Sequence, residues 1–233
     1  MSVTGRDYII INGVSSDTVG LYIDTPPMPS YQALNFQDIV VPNRGTLTIQ
    51  SKDRADIQVD ITAYLFSDED SADPRQIYDF IAAAETLSTS KSDDFYYKVK
   101  RVLPIIPAYQ GHGKQAIIIS FVCDPYRYST DNEPMSITTT TATINNAGGL
   151  YSQPIWKLYG TGELTLTVNE DDENALVIPD VDGYVIADAE KLICHKDSTF
   201  KRCSGKIPFL NVGDNYIQTN ATKIEVIKNE RWL

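Results

Sequence analysis

Apolar residues recur along this chain at two periods. In Ile57-Gln58-Val59-Asp60-Ile61 they alternate with polar ones, which places one face of a pleated strand in a core and the other in water. Ile77, Phe80, Ile81 and Ala84 instead follow helical spacing, as a single buried stripe. Asp73 can cap that helix, Pro74 suits its first position, and Gln76 stands where a capping-box partner would, so a helix is expected over about 74–85. Short runs rich in Val, Ile, Thr and Tyr predict strands at Tyr8–Ile11, Leu21–Asp24, Gln37–Val41, Thr46–Gln50, Ile57–Leu65, Phe95–Leu103 and Ala116–Cys123.

The polar stretch Ser129-Thr130-Asp131-Asn132-Glu133-Pro134 has no apolar period and separates two bodies, 1–130 and 136–233, with 129–135 as linker. Beyond it, strands are expected at Ser136–Ile144, Pro154–Tyr159, Glu163–Val168, Ala175–Ile178, Tyr184–Ala187, Glu190–Cys194, Asn215–Gln218 and Lys223–Ile227. Turn signals recur between them about every ten residues, which is sandwich or barrel spacing. No helix is expected in this half. The fold class is therefore mainly β, in two sandwich-type domains of which the first carries a single helix.

Composition narrows this picture. With 42% apolar and 22% charged residues, wholesale disorder and coiled coil are disfavoured. The formal charge of −11, spread over both halves, argues against a general affinity for nucleic acid. Residues 1–8, Met-Ser-Val-Thr-Gly-Arg-Asp-Tyr, have neither a basic cluster nor a long apolar run, so no secretory leader is expected. The apolar run 116–123 is too short for a membrane helix, and a soluble chain is expected. Three cysteines, Cys123, Cys194 and Cys203, exclude a disulfide framework of the small secreted kind and fit synthesis in a reducing cytoplasm.

Candidate chemistry is sparse. His112, in Gln110-Gly111-His112-Gly113-Lys114, reads as an exposed loop tip without the partner a general base needs. Cys194, His195 and Cys203 lack a second Cys/His pair, and adjacent strand residues point to opposite faces, so no metal site is assigned. Cys123 reads as core. The acidic clusters 170–174 and 180–183 lack the spacing of a calcium loop and read as hairpin turns, with Asp182-Gly183 as a tight-turn pair. Gly148-Gly149 and Gly160-Thr161-Gly162 lack the lysine and helix of a phosphate loop, and no Gly-x-Ser-x-Gly elbow is present. The residues describe a structural or binding protein, with no catalysis and no cofactor.

The order of motifs resembles that of the distal tail (Dit) proteins of siphophages, which have long non-contractile tails. The likeness is carried by Asn12-Gly13 with Gly20-Leu21, by Val40-Val41-Pro42-Asn43-Arg44-Gly45-Thr46-Leu47, by Asp93-Asp94-Phe95-Tyr96-Tyr97-Lys98-Val99, and most specifically by Phe121-Val122-Cys123-Asp124-Pro125-Tyr126-Arg127-Tyr128. The second half adds Ile144-Asn145-Asn146, the run 153–162 from Gln153-Pro154-Ile155-Trp156 to Gly160-Thr161-Gly162, Asp188-Ala189-Glu190, Gly205-Lys206-Ile207-Pro208-Phe209-Leu210 and Gly213-Asp214-Asn215. Asn43 stands where the family usually has glycine, a mild departure because Asn tolerates positive φ.

The resemblance implies an N-terminal ring-forming belt domain with one helix, and a C-terminal galectin-like sandwich. It further implies a homo-hexameric hub at the virion tail tip, made in the host cytoplasm. That hub would join the tail tube protein above to a tail-associated hub or lysin protein below, with receptor-binding components as possible outer partners. No nucleic-acid binding and no membrane insertion are expected. The hairpin with Val40, Val41, Pro42, Asn43, Arg44 and Gly45 at its tip is the candidate ring interface, because exposed strand edges can pair with a neighbouring copy; the alternative is that it is an internal edge of the sandwich. The rival reading is a carbohydrate-binding module with Tyr151, Trp156, Tyr159 and Tyr184 as its aromatic platform; the position of Trp156 among Pro154-Ile155 and Leu158-Tyr159 argues for burial instead.

Overall fold

The computed structural model describes residues 7–23, 25, 27, 34–66, 74–110 and 114–233. It is mainly β, and it divides into two compact units, Met1–Thr130 and Asp131–Leu233, with the boundary inside the polar stretch that follows Tyr128.

The first unit contains β1 (Ile9–Ile11), β2 (Val14–Ser15), β3 (Tyr22–Ile23), β4 (Leu34–Val41), β5 (Gly45–Arg54), β6 (Ile57–Phe66), α1 (Pro74–Ala82), β7 (Thr86–Thr89), β8 (Ser92–Val102), β9 (Ile106–Gln110) and β10 (Lys114–Ser129). The main sheet runs β2-β1-β7-β8-β10-β6-β3, with β9 also on β10. β6 keeps its alternation: Ile57, Val59, Ile61, Ala63 and Leu65 are buried, while Gln58, Asp60 and Thr62 face solvent. Ile77 and Ile81 of α1 join the same core, with Phe80 and Ala84 packed at its margin. Asp73 and His112 lie outside the described residues.

The helix stops at Ala82, short of the expected 85, and the cause is Asn12. Its Nδ2 donates to the Ala83 carbonyl (2.7 Å), while its Oδ1 accepts from the Glu85 and Thr86 amides (2.9 and 3.0 Å). One side chain thus satisfies the groups a helix end leaves over and turns the chain into β7. β7 and β9 are strands the sequence pattern missed. β10 continues past its expected end at Cys123 because Asp124, Pro125 and Tyr126 are absorbed in an irregularity opposite β8, between the pairs Cys123↔Val99 and Arg127↔Tyr97. Proline is tolerated there because no regular ladder bond is required of it.

The second unit contains β11 (Met135–Ile137), β12 (Thr141–Asn146), β13 (Ile155–Val168), β14 (Leu176–Asp188), β15 (Ile193–Lys196), β16 (Thr199–Phe200), β17 (Gly213–Thr219), β18 (Lys223–Ile227) and β19 (Arg231–Trp232). Strands run β11-β18-β13-β14-β15-β16, and β17 joins β12 to the far end of β13. Three expectations are corrected here. The run Ser136–Ile144 is two strands broken at Thr139-Thr140, where Thr139 bonds the Thr141 carbonyl (2.7 Å). The pairs Pro154–Tyr159 with Glu163–Val168, and Ala175–Ile178 with Tyr184–Ala187, are each one long strand. Gly160-Thr161-Gly162 and Asp182-Gly183 are therefore not turns. They oppose each other across the β13–β14 ladder, Gly160↔Gly183 and Thr161↔Asp182, with left-handed φ at Gly162, Asp180 and Gly183 and a register shift after Gly162. Such an irregularity bends a ribbon without reversing it. The acidic residues 170–174 do form the β13–β14 connection, including a 3-10 turn over Asp172–Asn174.

The core of this unit gathers Trp156, Leu158, Leu164, Leu166, Ile178, Val185, Ile217 and Ile224. Several motifs are explained by buried hydrogen bonding. Asn215 is saturated by Asn169, the Asn211 amide and carbonyl, and the Gly213 carbonyl. Asn146 bridges Leu150, Leu210 and Gly148, and Asp188 accepts from the amides of Glu190 and Lys191. Arg231, also buried, bonds the Tyr151 carbonyl (2.8 Å) and lies 4.3 Å from the Tyr151 ring centroid. No described helix is long and apolar enough to cross a membrane.

Candidate assembly interface

β4 and β5 form a sheet of their own and pair with no other strand among the described residues. The hairpin reverses through Val41-Pro42-Asn43-Arg44, closed by the Arg44 amide on the Val41 carbonyl (3.1 Å). Proline at the second position and positive φ at the third (Asn43, 61°) are the signature of a type II turn. Asn43 thus adopts the left-handed conformation that glycine would, and Gly45 follows with φ 85°.

The register pairs Ile39↔Leu47, Val40↔Thr46 and Gln37↔Ile49. Alternation therefore puts Ile39, Val41, Leu47 and Ile49 on one face, and Phe36, Asp38, Val40, Thr46 and Thr48 on the other, where Thr48 donates to Asp38 (2.6 Å). Neither face is covered. Phe36 is 59% exposed, Ile39 41%, Val40 77%, Leu47 55% and Ile49 45%. A ribbon of two strands is marginal alone in water, and this one presents contiguous apolar surface together with free backbone edges.

The other residues singled out from the sequence separate into structural roles. Cys123 is fully buried and its thiol is pushed up to about 12 by burial, reinforced by Asp124 and Asp56. Lys100 pairs with both of these carboxylates (3.1 and 2.5 Å), and Tyr128 donates to Asp124 (2.7 Å). Cys194 is buried, whereas His195 points to the other face and its Nδ1 lies 2.8 Å from the Asp197 carbonyl. Among the described residues no three His, Cys, Asp or Glu side chains gather in a way that could hold a metal ion.

The four aromatics of a sugar platform do not share one surface role. Trp156 is fully buried and donates to the Pro208 carbonyl (3.0 Å), linking two of the second-half motifs. Tyr151 packs on Phe209 and Arg231. Tyr159 and Tyr184 are neighbours on the outer sheet face, centroids 6.1 Å apart, with Lys157 within 5.0 Å of both rings. Lys223 and Tyr159 donate to Glu225, and these bonds hold its carboxyl below the usual range.

No protein-family model matches the chain, and no curated protein is similar to it in sequence. Among solved structures it is similar to the Dit protein (gp 19.1) of SPP1, described as a paradigm of the hub adsorption apparatus in phages that infect Gram-positive bacteria. The TM-score is 0.69 at 13% identity, covering 98% of this chain and 100% of the other. The chain therefore has a Dit-like fold.

Proposed function

We propose that this chain is a structural hub protein of a phage tail tip, in which six copies close into a ring through the β4–β5 hairpin. The observation that carries the reading is the uncovered hairpin, whose apolar face and open edges match what a head-to-tail ring contact requires. The Dit-like fold over 98% of the chain supports the tail-hub assignment. In this role the first unit is the belt and the second a galectin-like appendage. The ring joins the tail tube protein to a tail-associated hub or lysin protein, and receptor-binding subunits attach at its periphery. The chain is made in the host cytoplasm and carried in the virion, and its work is positional, with no substrate converted. Six copies at −11 each carry about −66, so closure relies on buried apolar area and backbone pairing against mutual repulsion.

The test is the solution mass of the purified chain, with electron micrographs of the same sample. A mass near six times 26.0 kDa with visible rings is expected. Shortening the hairpin between Phe36 and Gln50 should give soluble monomer. A full-length chain that stays monomeric at every concentration would refute the hub, while a shortened chain that remains a hexamer would refute the hairpin as its closure.

A further inference from the structure

Asn12-Gly13 is the only Asn-Gly pair in the chain, and the fold gives its asparagine two tasks. The pair forms the two-residue turn between β1 and β2, which are in register at Ile11↔Val14, with left-handed φ at both positions, 51° and 79°. That is type I′ geometry, for which Asn-Gly is a preferred sequence. The Asn12 side chain meanwhile fastens the end of α1 to the start of β7, through the Ala83 carbonyl and the Glu85 and Thr86 amides, and its own backbone amide donates to the Thr86 carbonyl (3.2 Å). Both turn residues are exposed, and a side chain at Gly13 would meet nothing within 4 Å. With no Cβ of its own, Gly13 leaves its backbone nitrogen unshielded beside the carboxamide that precedes it.

We propose that Asn12 is a spontaneous deamidation site, with water as co-reactant, which the closed turn holds back and local opening releases. The Gly13 nitrogen, its proton lost to hydroxide in the solvent, attacks the Asn12 Cγ. The bond from Cγ to Nδ2 breaks and ammonia leaves, which closes a five-membered succinimide. Water then opens that ring at either of its carbonyls and yields aspartate or isoaspartate at position 12. No atom changes its oxidation state overall, and no metal or oxidant is consumed.

The turn and the side-chain bonds both oppose ring closure. In a type I′ turn the first residue has ψ of roughly +30°, which sets the next nitrogen about anti to Cβ across the Cα–C bond. Attack on Cγ needs the two nearly eclipsed, so the turn must open first. The carboxamide must also leave Ala83, Glu85 and Thr86 before it can swing towards Gly13. Reaction therefore runs through the open fraction. The damage falls on the same contacts. Aspartate keeps an acceptor for Glu85 and Thr86 but sets a carboxylate oxygen against the Ala83 carbonyl. Isoaspartate also routes the main chain through the side-chain methylene, an extra backbone atom that a two-residue turn cannot take without disturbing the Ile11↔Val14 pair. Ile9 and Ile11, both buried, stand on the strand so loosened. None of this depends on assembly into a ring.

The experiment incubates the full purified chain at mildly alkaline pH, native in buffer and unfolded in guanidinium, and maps its peptides by mass over time, with isoaspartyl methyltransferase labelling to identify isoaspartate. The peptide carrying Asn12 should exchange its amide for a carboxyl in the unfolded chain, ahead of every other asparagine, and at least roughly thirtyfold more slowly in the native one. The native product, separated by its added negative charge, should exchange the Glu85 and Thr86 amides about tenfold faster than fresh chain in its isoaspartate form, with exchange in the second unit unchanged. Equal rates in native and unfolded chain, an unfolded chain in which other asparagines react before Asn12, or an isoaspartate form with unchanged exchange at Glu85 and Thr86 would each overturn the proposal. The readings need no variant, and they decide independently of the ring mass.

Discussion

Truncating Leu47 to alanine separates assembly from folding. Leu47 is 55% exposed and sits opposite Ile39 on the apolar face of the hairpin, so the chain alone keeps about 100 Å² of it in water. Removing the side chain beyond Cβ withdraws about 60 Å² from any contact that covers this face, or about 1.5 kcal/mol per interface at roughly 25 cal/mol per Å². A closed ring of six has six interfaces but only five association steps, so the midpoint concentration for ring formation should rise roughly twentyfold. Folding of the single chain should change by no more than about 0.5 kcal/mol, because that surface is already solvated. Sedimentation velocity or mass photometry over a dilution series reads the first quantity, and urea unfolding of the dissociated chain reads the second. An unmoved ring midpoint would show that this face is not what the neighbour covers. A large loss of folding stability would show that Leu47 is structural instead.

The other predictions concern the fold that carries this surface. Asn12→Ala removes three hydrogen bonds and leaves alanine at φ 51°, which should cost the first unit about 2–3 kcal/mol in urea, whereas Asn12→Asp keeps the acceptor for Glu85 and Thr86 and should cost about half as much. Gly205→Ala would place Cβ 1.8 Å from the Ala175 carbonyl oxygen at φ 78°, so a loss above about 4 kcal/mol and collapse of the second unit's melting transition are expected. Because Glu225 is held below the usual carboxylate range, its contribution is present above the unfolded-state pKa and disappears as pH falls through the folded one; Tyr159→Phe removes one of its donors and should move its carbon-13 titration midpoint upward.

What was legible in the sequence was whatever depends on neighbours in the chain. β6 and the stripe Ile77, Phe80, Ile81 and Ala84 were readable because burial there follows local period. The end of α1 was not, because its cap is Asn12, some seventy residues earlier. Gly160-Thr161-Gly162 and Asp182-Gly183 have turn chemistry when read singly. Their meaning changes only when the β13–β14 register sets one against the other, so that two irregularities bend a ribbon together. β10 likewise runs past its expected end at Cys123, because Asp124, Pro125 and Tyr126 are taken up in an irregularity opposite β8. Trp156 was placed correctly in the core, but its partner at Pro208 required the fold. Cys194 and His195 are adjacent in sequence, and only the pleat separates their roles, since Cys194 enters the core while His195 turns to the other face with its Nδ1 2.8 Å from the Asp197 carbonyl.

The hairpin sets the sharpest limit on such reading. Its turn residues Pro42 and Asn43 were legible, and the structure gives Asn43 the positive φ that a type II turn requires, with Gly45 also left-handed just after it. Its strands, however, alternate in the same manner as β6, which is buried. Pattern alone therefore predicts equal cover for Ile39 and Ile61, and only the sheet order distinguishes them: β6 lies between β10 and β3, whereas among the described residues β4 and β5 pair only with each other. An apolar alternation that the chain's own fold leaves open is costly in water and invites pairing with any compatible edge. Its retention in a chain of −11, where like charge opposes casual contact, is consistent with a surface reserved for one geometry of partner, which for a ring is another copy of itself.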